Sequence, residues 1–186
     1  KRQALLSLNM QGGGGFEIWQ FKNREPQNPC CLPTYGDIGI YAAKMKTSDV
    51  GKTYEYFLLN KNLHLSPLSK DAKGDEQFWI KDESNNIFNI VNGNHWFQHK
   101  NKPLGGVTGA VIGVSNMENA LPFYQSLLNT AEVIYDVSTT VEVGMDTNKD
   151  RYRRVLLQKH PNAKGAFGKL LGSIELELVQ CLDRTP

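Results

Sequence analysis

Two glutamates stand at matching places in two similar stretches of the sequence. Glu17 lies in the segment FEIWQ and Glu177 in the segment LELVQ, and Gln20 and Gln180 follow them at the same spacing. A carboxylate in such a position either binds a hard cation or lies in a polar cavity where an arginine or a tyrosine holds it. These residues alone leave both interpretations open.

Histidine and cysteine pairs also have the chemistry to bind a metal, but their surroundings argue against it. His95 and His99 are four residues apart, yet they flank an aromatic pair after a strand and do not lie on a helix that would align them. Cys30 and Cys31 are adjacent and Cys181 stands alone, which matches neither a disulfide framework nor a zinc site. We therefore expect free thiols.

Three further segments each allow two interpretations. The glycines at residues 12–15 precede a strand, whereas a phosphate-binding loop precedes a helix, so a flexible hairpin turn is favoured. The glycine-rich insertion at residues 161–172 is either a lid over a cavity or a loop packed on a neighbouring unit. A basic cluster just before the insertion either lies on a solvated strand edge or binds an anionic substrate. Its members are Arg151, Arg153, Arg154, Lys159 and His160.

Composition restricts the class of protein. The 186 residues include 40% hydrophobic residues, which are enough for a core, and the 21 basic and 19 acidic residues leave a net charge of +2. Because these charges are well mixed, we expect no nucleic-acid partner. The longest apolar runs are far shorter than the roughly 20 residues of a membrane-spanning helix, so we expect no membrane partner. No secretory signal is visible, and a cytoplasmic protein is expected.

Periodicity and turn residues predict the elements that position the candidate residues. Alternating apolar residues indicate strands, and polar caps at Ser48 or Asp49 and at Ser115 or Asn116 begin two helices. Pro122 lies either near the first turn of the second helix or at a kink. The predicted elements are a hairpin at 4–9 and 16–21, a linker at 23–33, strands at 37–45, 77–81, 87–91, 107–114, 132–137, 153–158 and 174–182, and helices at 48–59 and 115–128.

The chain contains an internal repeat. Its first thirty residues match its last thirty-five, with Glu17 aligned to Glu177 and the length difference confined to the hairpin loop, where repeats tolerate insertions. The expected units are residues 1–30, which form the C-terminal hairpin of a first module, and two βαβββ modules at 35–100 and 105–186. We call these the first-module hairpin, the second module and the third module.

The opening segment GAVIGVSNMENALPFYQSLL and the closing segment IELELVQ of the third module resemble the vicinal-oxygen-chelate superfamily. That superfamily includes glyoxalase I, bleomycin-resistance proteins and extradiol dioxygenases. The resemblance covers nearly the whole chain. It implies an α+β fold in which repeated βαβββ modules form cupped mixed sheets with the helices on the outside.

The resemblance also implies a ligand set for a divalent metal such as Fe, Zn, Ni or Mn. In the superfamily the ligands come from the first and last strands of each module. Glu17 and Glu177 take the last-strand position, and Asp37 takes the first-strand position of the second module. Asn89 and Gly109 occupy the remaining matching positions, where Asn is a weaker ligand and Gly is none.

The function implied by the resemblance is that of a glyoxalase- or dioxygenase-like protein acting on a small oxygen-rich or aromatic molecule. A divalent metal would act as a Lewis acid in such a lyase or dioxygenase. Two alternatives are a metal-free protein that sequesters a small ligand, as bleomycin-resistance proteins do, and a structural module whose cups are filled by side chains. We expect the first-module hairpin to pair with the second module, and two third modules to pair in a homodimer with Glu177 of both chains facing one cavity.

Overall fold

The structure is a computed structural model that describes residues 1–25, 27, 30–98, 100–140, 144–145, 149–160, 165 and 167–184. His99 and, of the insertion, residues 161–164 and 166 lie outside the described residues. The strands are β1 (Arg2–Leu8), β2 (Gly15–Phe21), β3 (Gly39–Thr47), β4 (His64–Leu65), β5 (Ser69–Lys70), β6 (Glu76–Lys81), β7 (Ile87–Asn92), β8 (Val107–Gly113), β9 (Glu132–Thr139), β10 (Tyr152–Lys159) and β11 (Ile174–Cys181). The helices are α1 (Val50–Leu58), α2 (Met117–Leu127) and α3 (Gly168–Leu171).

Two βαβββ modules follow one another. In the second module β3 leads through α1 to β4–β7, where β4 and β5 both pair with β6 and together take the place of one strand, and in the third module β8 leads through α2 to β9–β11. The opening strand pairs in parallel with the closing strand in both modules, and the other pairs within each module are antiparallel in the same order. The predicted fold class is confirmed. The short strands β4 and β5 were missed because two residues carry no periodicity.

The two modules join through their opening strands. β3 pairs antiparallel with β8, which makes one open, nine-stranded sheet, while β1 and β2 form a separate two-stranded sheet. The expected pairing of the first-module hairpin with the second module is therefore wrong. Each opening strand has one free edge after it pairs with its closing strand, and these two edges cover each other.

Each helix covers one face of its module's sheet. The side chains of Asp49 and Asn116 accept hydrogen bonds from the backbone N–H groups of Lys52 and Asn119, which fixes the start of α1 and α2. Pro122 lies inside α2. Alternate apolar residues of the strands pack beneath the helices: Phe78, Ile80 and Ile90 on the α1 side, and Val155, Leu157 and Leu178 on the α2 side. Among the described residues, the helices are too short and too polar for any to span a membrane.

The β1–β2 and β10–β11 hairpins each carry one of the two aligned glutamates on their second strand. Glu17 lies opposite Leu6, and Glu177 lies opposite Leu156. Each glutamate thus lies opposite a leucine, and the predicted superposition of the two hairpins stays a prediction. Their burial differs, because the side chains of the first-module hairpin are exposed along most of its length.

The turn of the first-module hairpin packs closely on the linker between the two modules. A Cβ atom on Gly12 would lie 1.6 Å from the carbonyl oxygen of Gly105, so the two backbones meet there. The buried amide of Gln11 donates from Nε2 to the carbonyl oxygen of Lys102 at 2.8 Å, and its Oε1 accepts from the N–H of Lys102 at 2.8 Å. The glycines of this turn therefore permit close packing as well as the predicted turn.

Candidate functional site

The face of the nine-stranded sheet opposite α1 and α2, here called the cup, gathers an unusual number of buried polar side chains. Val155 and Leu178 pack beneath α2, so their neighbours Arg154 and Glu177 project from the other face. The same alternation places polar residues of β3, β6 and β7 in the cup. Its buried polar residues are Lys44, Lys46, Gln77, Asn89, Arg154, Glu175 and Glu177.

Glu177 lies at the centre of this set and is only 1% exposed. Its Oε1 accepts a hydrogen bond from Nε of Arg154 at 2.7 Å, and its Oε2 accepts one from Nζ of Lys44 at 3.3 Å. Burial would raise the pKa of Glu177, but the charges of Arg154 and Lys44 outweigh it and lower the pKa to about 2. The carboxylate is therefore ionised and fully paired.

Aromatic side chains fill the part of the cup next to Glu177. The ring of Tyr35 is fully buried, and its centroid lies 5.0 Å from that of Tyr152, 5.3 Å from that of Tyr41 and 6.1 Å from that of Trp79, all edge to face. Burial raises the pKa of Tyr35 well above its usual value, so its hydroxyl is protonated and donates to Oε1 of Glu177 at 3.4 Å. Side chains thus occupy this part of the cup.

The other part of the cup holds a second buried lysine. Lys46 is 1% exposed, and among the described residues its Nζ has no hydrogen-bond partner. The ammonium group lies 5.8 Å from the centroid of the Trp96 ring. Burial lowers the pKa of Lys46, and the nearby charge of Glu175 partly opposes that effect. Burial and the charge of Lys46 both lower the pKa of His95, whose ring is therefore neutral at pH 7.

Glu17 lies outside the cup. It is exposed and lines an open groove of about 690 Å³ between β2 and the second module. Phe16 and Ile18 line the same groove, and the ring of Phe16 meets that of Phe88 edge to face. Glu17, which the sequence aligns with Glu177, therefore lacks the environment of Glu177.

Asp37 lies just before β3, in a polar cluster beside the chain's C-terminal strand. Its Oδ2 accepts from the backbone N–H of Thr34 at 2.7 Å, and its Oδ1 pairs with the guanidinium group of Arg184. Burial would raise the pKa of Asp37, but these hydrogen bonds lower it. Arg184 also contacts Asp150, so Asp37 belongs to a network of salt bridges.

The predicted equivalence of Asp37 and Gly109 is wrong. Counted back from the helix caps Asp49 and Asn116, the residue that matches Gly109 is Ala42, which lies inside β3. The alignment failed because Asp37 precedes the strand and carries no periodic pattern.

The predicted equivalence of Asn89 and Glu177 agrees with the strand register. Asn89 lies beside Lys44, and Glu177 lies beside Val111. Lys44 and Val111 each precede their helix cap by five residues. The closing strands therefore present their side chains to the cup in the same way.

The three predicted metal ligands lie in three separate environments of the structure. Both oxygens of Glu177 are bound by the cationic groups of Arg154 and Lys44, which would repel a divalent ion. Among the described residues no group of three or more His, Cys, Asp or Glu side chains could hold a metal ion. The assignment of Glu17, Asp37 and Glu177 as ligands stays a prediction, and no step is derived through a metal.

The sequence analysis missed the cup lysines and interpreted Arg154 only as part of a basic cluster. That cluster divides between the two faces of β10. Arg153 pairs with Asp136 and Glu118 at the surface, whereas Arg154 is buried against Glu177. Strand β10 lies between β9 and β11, so the interpretation as a strand edge is wrong. Alternation along residues 152–158 was the signal that could have separated the two arginines.

The insertion forms the short helix α3 within the part that the structure describes. Leu170 is buried and its carbonyl oxygen accepts from the N–H of Gly14, while Phe167 and Leu171 remain exposed. The insertion thus packs on the turn of the first-module hairpin, and its role as a lid stays a prediction. The cysteines are free, as expected.

Comparison with known proteins identifies the architecture. No family model matches the sequence, and no curated protein matches it. Among solved structures, a variant of glyoxalase I from Zea mays matches with a TM-score of 0.51 and 15% identity, over 79% of this chain and 45% of that chain. The chain has the vicinal-oxygen-chelate fold. The resemblance inferred from the opening and closing segments is therefore confirmed at the level of the fold.

Two other vicinal-oxygen-chelate structures match at lower TM-scores. Glyoxalase I from Zea mays has a TM-score of 0.48 and 16% identity, over 79% of this chain and 44% of that chain. A variant of methylmalonyl-CoA epimerase from Streptomyces coelicolor, in complex with 2-nitronate-propionyl-CoA, has a TM-score of 0.43 and 12% identity, over 78% of this chain and 98% of that chain. The chain spans less than half the length of the glyoxalase I chains it matches. The match with the glyoxalase I variant shows the fold alone, and the reaction has to be argued from the site.

Proposed function

We propose that the chain binds a small oxygen-rich molecule in the cup without a metal ion. The observation that carries this proposal is the charge of the cup, where three buried cations face two buried carboxylates: Lys44, Lys46 and Arg154 against Glu175 and Glu177. In a weakly polar environment an excess positive charge favours anionic oxygen atoms and disfavours a divalent cation. Of the functions predicted from the sequence, this supports metal-free binding.

Metal analysis separates this proposal from a metal-dependent lyase or dioxygenase. Protein purified without chelator should contain far less than one equivalent of Fe, Zn, Ni or Mn, because Arg154 and Lys44 neutralise the central carboxylate. About one equivalent that disappears in Glu177→Gln would instead favour the enzyme and refute metal-free binding.

Ligand mapping tests whether the cup is the binding site. Small carboxylic acids and aromatic acids, titrated into ¹⁵N-labelled protein, should shift the backbone amide signals of Gly109, Val111 and Asn89, which lie on the two strands that flank β3. Shifts confined to the groove beside Glu17, or no shifts from any member of the panel, would refute the proposal.

We also propose a homodimer that forms through the first-module hairpin. Its side chains Leu5, Leu6, Ile18 and Trp19 are between 41% and 65% exposed, and β1 and β2 pair only with each other among the described strands. Exposed apolar strands with free edges favour association in water. Because β3 and β8 pair within one chain, the symmetric pairing of third modules loses its rationale. Sedimentation of Trp19→Glu against the parent chain tests the proposal, and equal masses would contradict it.

A further inference from the structure

Three polar atoms in the second part of the cup are buried and lack a hydrogen-bond partner. Among the described residues, Lys46 Nζ, Asn89 Oδ1 and His95 Nδ1 make no hydrogen bond. Lys46 and Asn89 are more than nine-tenths buried, whereas His95 is partly exposed. Nearly all buried polar groups in folded proteins have a partner, and a buried ammonium ion without one is strongly unfavourable. Three such atoms together indicate a place that a ligand completes.

These three groups come from neighbouring segments of the second module. Lys46 and Asn89 both face the cup from the adjacent parallel strands β3 and β7, two residues apart in register, so their Cα atoms lie roughly 8 Å apart. His95 follows β7 and is close enough to Lys46 for the lysine charge to lower its pKa. The stem of Lys46 lies between two glycines, since a Cβ on Gly93 or on Gly105 would come within 3.0 Å of it.

The remaining charges of the cup are already satisfied. Lys44 lies 3.3 Å from Glu177 and 3.8 Å from Glu175, and Glu177 also binds Arg154. Glu175 accepts a further hydrogen bond from Nε2 of Gln158 at 3.0 Å. Lys46 is thus the cation without a direct counter-ion in this cluster, and the missing group on that side is an anion.

Asn89 defines the second requirement. Its Nδ2 donates to Oε1 of Gln77 at 3.0 Å, which leaves Oδ1 as an acceptor that needs a donor. A ligand that satisfies both groups carries an anionic oxygen for Lys46 and a hydroxyl group for Asn89. His95 and Trp96 are only partly buried, although Lys46 Nζ, Asn89 Oδ1 and His95 Nδ1 are themselves buried.

We infer that Lys46, Asn89 and His95 form a subsite for a small hydroxycarboxylate. The carboxylate binds the Lys46 ammonium group, the hydroxyl group donates to Oδ1 of Asn89, and the neutral imidazole of His95 contacts the ligand from the open side. This inference rests on the proposed binding function of the cup and names its ligand class. It is independent of Glu17, Asp37 and any metal.

The experiment compares lactate with propionate, which lacks only the hydroxyl group, by titration into ¹⁵N-labelled protein. Lactate should bind about 5-fold more tightly, the advantage of one hydrogen bond to a buried acceptor. In Asn89→Leu that advantage should vanish, while both acids still bind. In Lys46→Met both acids should lose at least 10-fold in affinity, and the exposed control Lys70→Met should bind as the parent does.

Stability gives a second readout. Lys46→Met removes a buried cation that lacks a partner, so its Tm should rise by roughly 2–4 °C while it loses the ligand. A lower Tm, equal binding of the two acids by the parent chain, or unchanged binding in Lys46→Met would each overturn the inference. If other small acids still shift the cup signals, only the ligand class fails. If no acid does, the proposed function fails with it.

Discussion

Replacing Glu177 with glutamine tests the charge arrangement of the cup most directly. The native surroundings hold the pKa of this carboxyl at about 2 against an ordinary value of 4.5. Since a tenfold change in proton affinity is worth about 1.4 kcal/mol, ionised Glu177 stabilises the fold by about 3 kcal/mol at pH 7. Glutamine keeps the shape but leaves Arg154 and Lys44 buried without their counter-ion, so we expect a loss of about 3–5 kcal/mol.

Urea unfolding at pH 7 measures this loss, and the repeat supplies a matched control. Glu17 occupies the equivalent position of the first-module hairpin but is exposed, so Glu17→Gln should change the free energy of unfolding by less than about 0.5 kcal/mol. An equally small change in Glu177→Gln would refute the argument that Glu177 stabilises the fold as the counter-ion of Arg154 and Lys44.

The same pair of variants predicts a pH dependence. Because the folded pKa of Glu177 is lower than the unfolded one, its stabilisation is complete above about pH 4.5 and is lost as the pH falls toward 2. The parent chain should therefore approach the stability of Glu177→Gln across that interval, whereas Glu17→Gln should follow the parent throughout. A constant difference between the parent and Glu177→Gln from pH 5 to pH 2 would contradict the assigned pKa.

Substitutions at Tyr35 and Gly109 test the packing around the cup by denaturant unfolding. Tyr35→Ala should cost about 3–5 kcal/mol because it empties the centre of the aromatic cluster, and Tyr35→Phe about 1 kcal/mol; a loss below about 1 kcal/mol in the alanine variant would contradict this packing. Gly109→Ala should lower the free energy of unfolding by about 1–3 kcal/mol, because a Cβ there would lie 1.6 Å from the carbonyl oxygen of Glu175. The control Gly51→Ala in α1 has room for a Cβ and should raise the free energy of unfolding by about 0.5–1 kcal/mol. Equal stability of Gly109→Ala and Gly51→Ala would count against the close contact between β8 and β11.

The modules could be predicted from the sequence because their signals are local. Alternation marks β8 and β11, and the cap at Asn116 marks the start of α2 within two residues. The β1–β2 hairpin could be predicted as well, since its turn residues lie between two apolar runs. Each of these features depends on neighbours a few residues away or on a direct sequence match.

The pairing of the modules depends on long-range contacts that no local pattern encodes. Lys44 and Glu177 are 133 residues apart and meet only because β3 and β8 join the modules edge to edge. A lysine inside an apolar strand is usually interpreted as a surface residue, so Lys44 and Lys46 carried no signal until the cup was assembled. The partner of each charge is thus a tertiary property.

Glu17 and Glu177 show why a ligand position cannot be transferred on sequence alone. Both follow an apolar residue on the second strand of a hairpin, yet one lies in an open groove and the other between Arg154 and Lys44. A closing-strand carboxylate binds a metal only where the opposite module supplies further anionic or neutral ligands. Here the opposite module supplies Lys44. The positive charge of Lys44, added to that of Arg154, favours an anion in the cup, whereas a set of carboxylates would favour a cation.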